Sequence, residues 1–184
     1  MNQLIKFGIV LALICFAATL VLAFTYEITK PKIEKGLEQE EKNALSEIMP
    51  EADSFDAKST DGIDYFEALS SGKTIGYCIK VTGTGYNGYI RMIAGIDEKG
   101  TIKGIRVLEQ YETPGLGARI NEKKPGEKEP AFLKQFNGKN ARALEIKKDV
   151  DAITGATISS KAVTDAVRDT TSQFLDKIKT GKTR

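Results

Sequence analysis

The longest uninterrupted apolar stretch of the chain lies close to its N-terminus. Residues 7–24 read FGIVLALICFAATLVLAF and contain no charged side chain. A helix needs about 20 such residues to cross a bilayer, and Leu4, Ile5 and the aliphatic part of Lys6 complete that length. The alternative is a cleaved signal peptide, whose apolar region typically spans about 7–15 residues. The longer stretch predicts an uncleaved, single-pass transmembrane anchor within residues 1–26.

A charged segment with a helical repeat of apolar positions follows, over residues 27–50. Pro31 fits the first turn of a helix, and Pro50 ends the periodic pattern. The apolar positions, mostly three, four or seven residues apart, are Ile33, Leu37, Ala44, Leu45 and Ile48. We predict a stalk helix that packs on a globular domain formed by residues 51–184.

The remaining pattern predicts strands in the middle of the chain and a helix at its end. Alternating residues predict strands at 73–81, 89–97 and 101–110, and a turn ending at Gly100 joins the last two. A charged loop occupies residues 122–130, and a short helix follows Pro130 and covers Phe132, Leu133 and Phe136. The C-terminal helix, over residues 158–179, has an apolar face formed by Ile158, Ala162, Val163, Ala166, Val167, Phe174, Leu175 and Ile178. The predicted fold class is α+β, with one N-terminal transmembrane helix and a small antiparallel sheet flanked by helices.

Composition excludes several classes of function. The chain has 27 basic and 25 acidic residues, a net charge of +2 and no Trp, so a nucleic-acid surface is not expected. It has no His and two Cys, which excludes His-based zinc or haem sites and leaves too few thiolates for an iron–sulfur cluster. We therefore predict no metal site and no catalytic residue of the protein's own, so that any redox carrier must be an organic cofactor.

Two glycine motifs resemble nucleotide-binding loops but lack the required context. Gly83, Gly85 and Gly88 form G-x-G-x-x-G, but the residues that follow predict a strand, whereas the dinucleotide fingerprint requires a helix. Gly-Lys-Thr occurs at 72–74 and 181–183 without the earlier glycine of a phosphate loop. Both patterns indicate turns.

The segment before the C-terminal helix has a different character. Residues 151–157 read Asp-Ala-Ile-Thr-Gly-Ala-Thr, a junction of small and hydroxyl-bearing residues. Small residues allow a bulky group to approach the backbone, and the start of a helix favours a phosphate. An ordinary helix cap explains the same residues.

This segment resembles the flavin-attachment motif of the FMN-binding domain family, D-x-x-T-G-A-T, with Asp151, Thr154, Gly155, Ala156 and Thr157 at the matching positions. A second family signature, E-T-P-G-L-G, is formed by Glu112, Thr113, Pro114, Gly115, Leu116 and Gly117. Together with the anchor, the resemblance covers nearly the whole chain. The chain resembles G subunits of Rnf electron-transport complexes, which are related to C subunits of sodium-translocating NADH:quinone reductases.

The resemblance implies that FMN is attached to Thr157 through a phosphoester by a separate flavin transferase that uses FAD. Thr113, Pro114, Leu116 and Gly117 are then expected near the flavin ring, and Thr154, Gly155 and Ala156 at its phosphate. Asp151 and Glu112 complete the predicted cofactor-binding set, and Lys80, Arg91 or Arg119 could balance negative charge. One position departs from the family, because Gln110 replaces a common His and cannot titrate near neutral pH.

The resemblance also implies an electron-carrier subunit of a membrane-bound complex that couples ferredoxin:NAD+ electron transfer to Na+ or H+ translocation. Its partners would be other membrane and iron–sulfur subunits, and its domain would lie on the extracytoplasmic side of the cell membrane. The C subunit of a quinone reductase is the near alternative, although the short chain favours the Rnf type. A flavin-free anchored interaction domain and a stand-alone flavin reductase are the alternatives from other classes.

Overall fold

The structure, a computed structural model, describes residues 3–181. Met1 and Asn2 of the predicted anchor, and residues 182–184 of the predicted domain, lie outside the described residues. The chain divides into two compact units, Met1–Glu40 and Glu41–Arg184. The predicted limits at residues 26 and 50 stay a prediction.

The first unit belongs to a long helix, α1, which runs from Gln3 to Ile48. It is the one helix of the described residues that is long and apolar enough to cross a membrane. The hydroxyls of Thr19, Thr25 and Thr29 each donate a hydrogen bond of 2.7–2.8 Å to the carbonyl four residues earlier. These bonds satisfy the hydroxyls within the helix itself, which apolar surroundings require.

Pro31 lies inside α1, and the prediction that it begins a separate stalk helix is wrong. A proline in a helix interior removes one hydrogen bond and costs about 3 kcal/mol. Propagation of a helix is cooperative, so long flanking segments can carry the helix through one such position. Ile33 and Leu37 are exposed, whereas Ala44, Leu45 and Ile48 are buried as predicted.

The second unit is built on a five-stranded antiparallel sheet with the strand order β1-β2-β3-β4-β5. The strands are β1 (Ser54–Thr60), β2 (Ile63–Ser70), β3 (Lys73–Thr84), β4 (Tyr89–Asp97) and β5 (Ile102–Gln110). The three predicted strands and the hairpin turn at Gly100 are confirmed. The turn from β3 to β4 contains Gly85 and Gly88, which confirms that the G-x-G-x-x-G pattern is a turn between strands.

Strands β1 and β2 were not predicted. They are joined by Asp61 (φ 47°) and Gly62 (φ 81°), and β2 is joined to β3 by Ser71 (φ 50°) and Gly72 (φ 76°). Two consecutive residues with positive φ are the geometry of a type I′ hairpin, for which Asp-Gly is a strong sequence signal. The Asp-Gly pair at 61–62 therefore could have identified the first hairpin.

Each face of the sheet is covered by one helix. Helix α3 (Thr157–Gly181) packs on one face, where the Phe174 ring lies 4.7 Å from Tyr65 and 5.2 Å from Tyr77 between centroids. The end of α1 packs on the other face through Leu45 and Ile48, against a cluster that includes Ala68, Cys78 and Ile93. Burial raises the pKa of the Cys78 thiol to about 12.

The chain between β5 and α3 contains only short helices and turns. A 3-10 helix spans Gly117–Asn121, α2 spans Ala131–Lys134, and a second 3-10 helix spans Ala141–Ala143. The predicted helix after Pro130 is confirmed as α2, although it ends before Phe136, and Phe132, Leu133 and Phe136 are all buried in the core. Ile158 does not join the buried face of α3, because its side chain is 56% exposed.

Candidate functional site

The candidate site is the start of α3, where Thr157 is the first helical residue. Gly155 has φ +80°, a conformation that side chains rarely adopt, and the chain turns there into the helix. The Ser160 hydroxyl holds this turn, since it accepts a 3.0 Å hydrogen bond from the Ile153 N–H and donates one of 2.9 Å to the Ala156 carbonyl. The loop that precedes α3 is therefore fixed by its own residues.

Four hydroxyls lie in or beside the first turn of α3, and the structure separates them into two pairs. Ser159 and Ser160 are buried, and both hydroxyls donate hydrogen bonds within the protein. Thr154 and Thr157 are exposed, and among the described residues neither hydroxyl has a hydrogen-bond partner. Only these two are available for a reaction with an external group.

The E-T-P-G-L-G segment folds beside this turn. The Leu116 N–H and the Ala118 N–H both donate to the Thr113 carbonyl, at 3.1 Å and 3.2 Å, which forms a tight turn with Gly115 at φ +76°. A Cβ on Gly155 would lie 3.3 Å from Leu116 Cδ2. The fold thus brings the two motifs, about 40 residues apart, into contact.

Glu112 connects the two motifs to the turn between β3 and β4. Its Oε1 accepts a 3.0 Å hydrogen bond from the Asn87 N–H, and its Oε2 accepts a short one from the Ser159 hydroxyl. Gly85 and Gly117 leave room for this carboxylate, because a Cβ on either residue would collide with its oxygens. The contacts of Glu112 with Asn87 and with Ser159 were not predicted. The Gly-Tyr-Asn-Gly sequence at 85–88 was the available sequence signal for the part of this site that lies in the β3–β4 turn.

Gln110 also supports this segment. Its side-chain oxygen accepts a 2.7 Å hydrogen bond from the Glu112 N–H. An amide side chain can accept this bond at any pH, because it does not titrate.

The structure does not bring every predicted residue to the attachment point. Asp151 is exposed and faces an open cavity of about 350 Å³, and its backbone is tied to the Gln135 side chain by hydrogen bonds of 2.8 Å and 3.3 Å. Gly117 is buried against Glu112 and Ser159, while Thr113, Pro114 and Leu116 are exposed. Their expected contacts with a flavin ring stay predictions.

The three basic residues proposed to balance charge are each paired within the protein. Lys80 pairs with Glu41 and lies 5.1 Å from the centre of the Phe66 ring, on the face of the sheet away from α3. Arg91 pairs with Glu109, and Arg119 pairs with Glu122 at 3.2 Å. Exposed pairs of this kind are solvated and contribute little.

The residues present fit a phosphate-linked group at Thr157. The Thr157 hydroxyl is exposed. The first N–H groups of a helix have no acceptor within the helix. In α3 the Ser160 N–H donates a hydrogen bond of 3.0 Å to the Ala156 carbonyl. A phosphoester on Thr157 would place negative charge at the positive end of a 25-residue helix, which is favourable. Small neighbours at 155 and 156 leave the approach open.

The chain is similar to several known proteins. Residues 85–172 match the FMN-binding domain family, and residues 1–48 match the RnfG N-terminal region. The G subunit of the proton-translocating ferredoxin:NAD(+) oxidoreductase complex of Clostridium ljungdahlii is 31% identical over 169 residues, covering 89% of this chain and 87% of that protein. The G subunit of the ion-translocating oxidoreductase complex of Methanosarcina acetivorans is 33% identical, with 90% and 92% coverage.

A third relative, the G subunit of the Na(+)-translocating ferredoxin:NAD(+) oxidoreductase complex of Acetobacterium woodii, is 31% identical and covers 88% of this chain. Among solved structures, the C subunit of the Na(+)-translocating NADH-quinone reductase of Parabacteroides distasonis matches with a TM-score of 0.51 and 29% identity. This match spans 61% of each chain, less than two thirds of that protein.

The fold and the matched region define a protein with an FMN-binding domain that follows a helix able to span a membrane. Within that class, the chain belongs to the family of G subunits of Rnf-type, ion-translocating oxidoreductase complexes. The resemblance inferred from the two motifs is confirmed.

Proposed function

We propose that this chain is an electron-carrier subunit in which FMN is joined through its phosphate to Thr157. The observation that carries the proposal is the exposed hydroxyl of Thr157, which has no hydrogen-bond partner in the described part of the chain and lies at the start of α3, beside the E-T-P-G-L-G turn. When bound, FMN supplies the redox chemistry, while the protein supplies attachment and orientation. Covalent attachment prevents loss of the cofactor from an exposed domain.

The attachment is a group transfer from FAD, carried out by a separate flavin transferase. The Thr157 oxygen forms a bond to the phosphorus of the FMN half, and the pyrophosphate bond of FAD breaks. AMP leaves, and the hydroxyl proton passes to a base. A threonine hydroxyl is a weak nucleophile without such a base. Among the described residues no carboxylate accepts a hydrogen bond from the Thr157 hydroxyl, and we propose that the transferase supplies the base.

The relatives support the proposed functional setting, because their names place them in ferredoxin:NAD(+) oxidoreductase complexes that translocate protons or Na(+). We propose that this chain passes electrons between other membrane and iron–sulfur subunits of such a complex. Residues 7–24 contain no charged side chain, so the ion pathway belongs to the partner subunits. We further propose that the domain lies on the extracytoplasmic side of the membrane and has no active site of its own.

The test is the intact mass of the membrane-extracted protein after coexpression with its flavin transferase. The wild type should gain the mass of one FMN less one water, and Thr157→Ala should not. Thr157→Ser retains a hydroxyl at the same place and should still be modified. Thr154→Ala removes the other exposed hydroxyl and should keep an adduct, which peptide mapping should locate on residue 157.

An unmodified wild type, with the transferase shown to be active on another substrate, would refute covalent attachment. In that case a colourless protein would favour the flavin-free interaction domain. An adduct that disappears in Thr154→Ala and persists in Thr157→Ala would show that the proposal assigns the attachment to the wrong hydroxyl.

A further inference from the structure

Glu112 is unusual because it is the one charged side chain buried among the described residues, at 5% exposure. Within the described residues, Glu112 forms no ion pair. Removing a charge from water is unfavourable unless hydrogen bonds or opposite charges compensate for it. Here the compensation comes from the Asn87 N–H, the Ser159 hydroxyl and the positive end of α3.

The position of this carboxylate links three segments that are distant in sequence. Asn87 lies in the turn between β3 and β4, Glu112 begins the E-T-P-G-L-G segment, and Ser159 lies in the first turn of α3. Each oxygen of the carboxylate holds a different segment. Gly85 and Gly117 enclose it so closely that neither can carry a Cβ without displacing it.

Ser159 and Thr157 lie on opposite sides of α3. Successive residues of an α-helix are separated by about 100° around its axis, so positions two apart are about 200° apart. Ser159 is held inward and is 2% exposed, and Thr157 consequently faces solvent. The contact with Glu112 occupies the Ser159 hydroxyl, a competing acceptor two residues away.

We propose that Glu112 is a positioning residue for flavin attachment. By holding Ser159, it fixes the first turn of α3 against the β3–β4 turn, presents the Thr157 hydroxyl outward and withholds that of Ser159. It acts through Ser159 rather than on the reacting atoms, because its hydrogen bonds lie on the side of the helix away from Thr157. This inference rests on the proposed attachment of FMN to Thr157.

The experiment measures the rate of FMN attachment to the detergent-solubilised full chain by the purified transferase with FAD, followed by intact mass. Glu112→Ala should lower the rate at saturating acceptor about tenfold to 100-fold, the range expected for misplaced reacting groups. Glu112→Gln should restore much of the rate, because its amide can accept from the Asn87 N–H and donate to Ser159. Glu127→Ala, in the exposed 122–130 loop, is the matched control and should react like the wild type.

Hydrogen exchange of the unmodified proteins provides a readout that does not depend on flavin. Hydrogen-bonded amides at the start of α3, among them the Ser160 N–H that donates to the Ala156 carbonyl, should exchange faster in Glu112→Ala and in Ser159→Ala, and should be unchanged in Glu127→Ala. The effects of substitutions at residues 112 and 159 on the attachment rate should be non-additive, because both break the same contact between Glu112 and Ser159. If Glu112→Ala does not fold, Ser159→Ala carries the test and should show the same loss of rate.

The outcomes separate this inference from the proposed function. A wild type without an adduct refutes the attachment itself. A wild type modified on Thr157, with Glu112→Ala and Ser159→Ala reacting at the wild-type rate, overturns only the role of Glu112. A variant that shows a smaller modified fraction but an unchanged rate per folded molecule would indicate a purely structural residue and would also overturn it.

Discussion

Replacing Gly117 with alanine tests how closely the site is packed around Glu112. A Cβ on Gly117 would collide with the Glu112 carboxylate and would lie 2.8 Å from Glu112 Cβ and 2.5 Å from Ser159 Oγ. The backbone of Gly117 does not have a positive φ, so alanine is compatible with its conformation. Any loss of stability must therefore come from the added methyl group.

The expected loss of stability combines two effects, and both arise when the new methyl group displaces the Glu112 carboxylate. Inserting a methyl group into a packed region costs about 1–3 kcal/mol. Moving the carboxylate away from Ser159 removes a charged hydrogen bond, worth about 1.5–3 kcal/mol. Because the two effects overlap, we expect a loss of about 2–4 kcal/mol in the free energy of unfolding. For a unit of this size, that lowers the Tm by about 6–12 °C.

The assay is thermal unfolding of the detergent-solubilised full chain, followed by circular dichroism. Gly104→Ala is the matched control, because it makes the same exchange in β5 and the nearest atom to its new Cβ is Ile48 Cα at 3.7 Å. The control should change stability by no more than about 0.5 kcal/mol. If the change in the free energy of unfolding of Gly117→Ala is as small as that of Gly104→Ala, the packing described around Glu112 is incorrect.

Two further predictions concern the hairpin turn and the membrane topology. The pKa of Asp97 is lowered: burial opposes the shift, but hydrogen bonds from the N–H groups of Thr101 and Lys99 outweigh it. The contribution of Asp97 to the free energy of unfolding should therefore be present above about pH 4 and lost as the pH falls through the lower folded-state pKa. Asp97→Ala should then cost about 1 kcal/mol near neutral pH and progressively less in acid. Urea titrations that show an equal loss at neutral and at acid pH would exclude this role. Trypsin added to intact spheroplasts should cleave the exposed 122–130 loop at Lys123 or Lys128 if the domain is extracytoplasmic, and protection until lysis would place it in the cytoplasm.

Sequence patterns predicted the elements whose residues carry strong periodic signals. Four elements were recognised because each repeats apolar residues at the period of its own structure. They are the apolar stretch at 7–24, the strands from Tyr89 to Asp97 and from Ile102 to Gln110, and the C-terminal helix. The strand pair before Lys73 was missed, since β1 is mostly exposed and alternates weakly. Pro31 was overinterpreted, because a proline signals a probable helix boundary and not a certain one.

The sequence by itself determined the class of protein and the residue proposed to carry the flavin, because two short motifs at 112–117 and 151–157 hold that information locally. It could not show that Glu112 is buried, that it accepts hydrogen bonds from Asn87 and Ser159, or that Gly85 and Gly117 are small because of it. It also could not separate the exposed hydroxyls of Thr154 and Thr157 from the buried ones of Ser159 and Ser160. Those facts depend on contacts between segments up to 72 positions apart, Asn87 to Ser159, which exist only once the sheet and α3 have packed together.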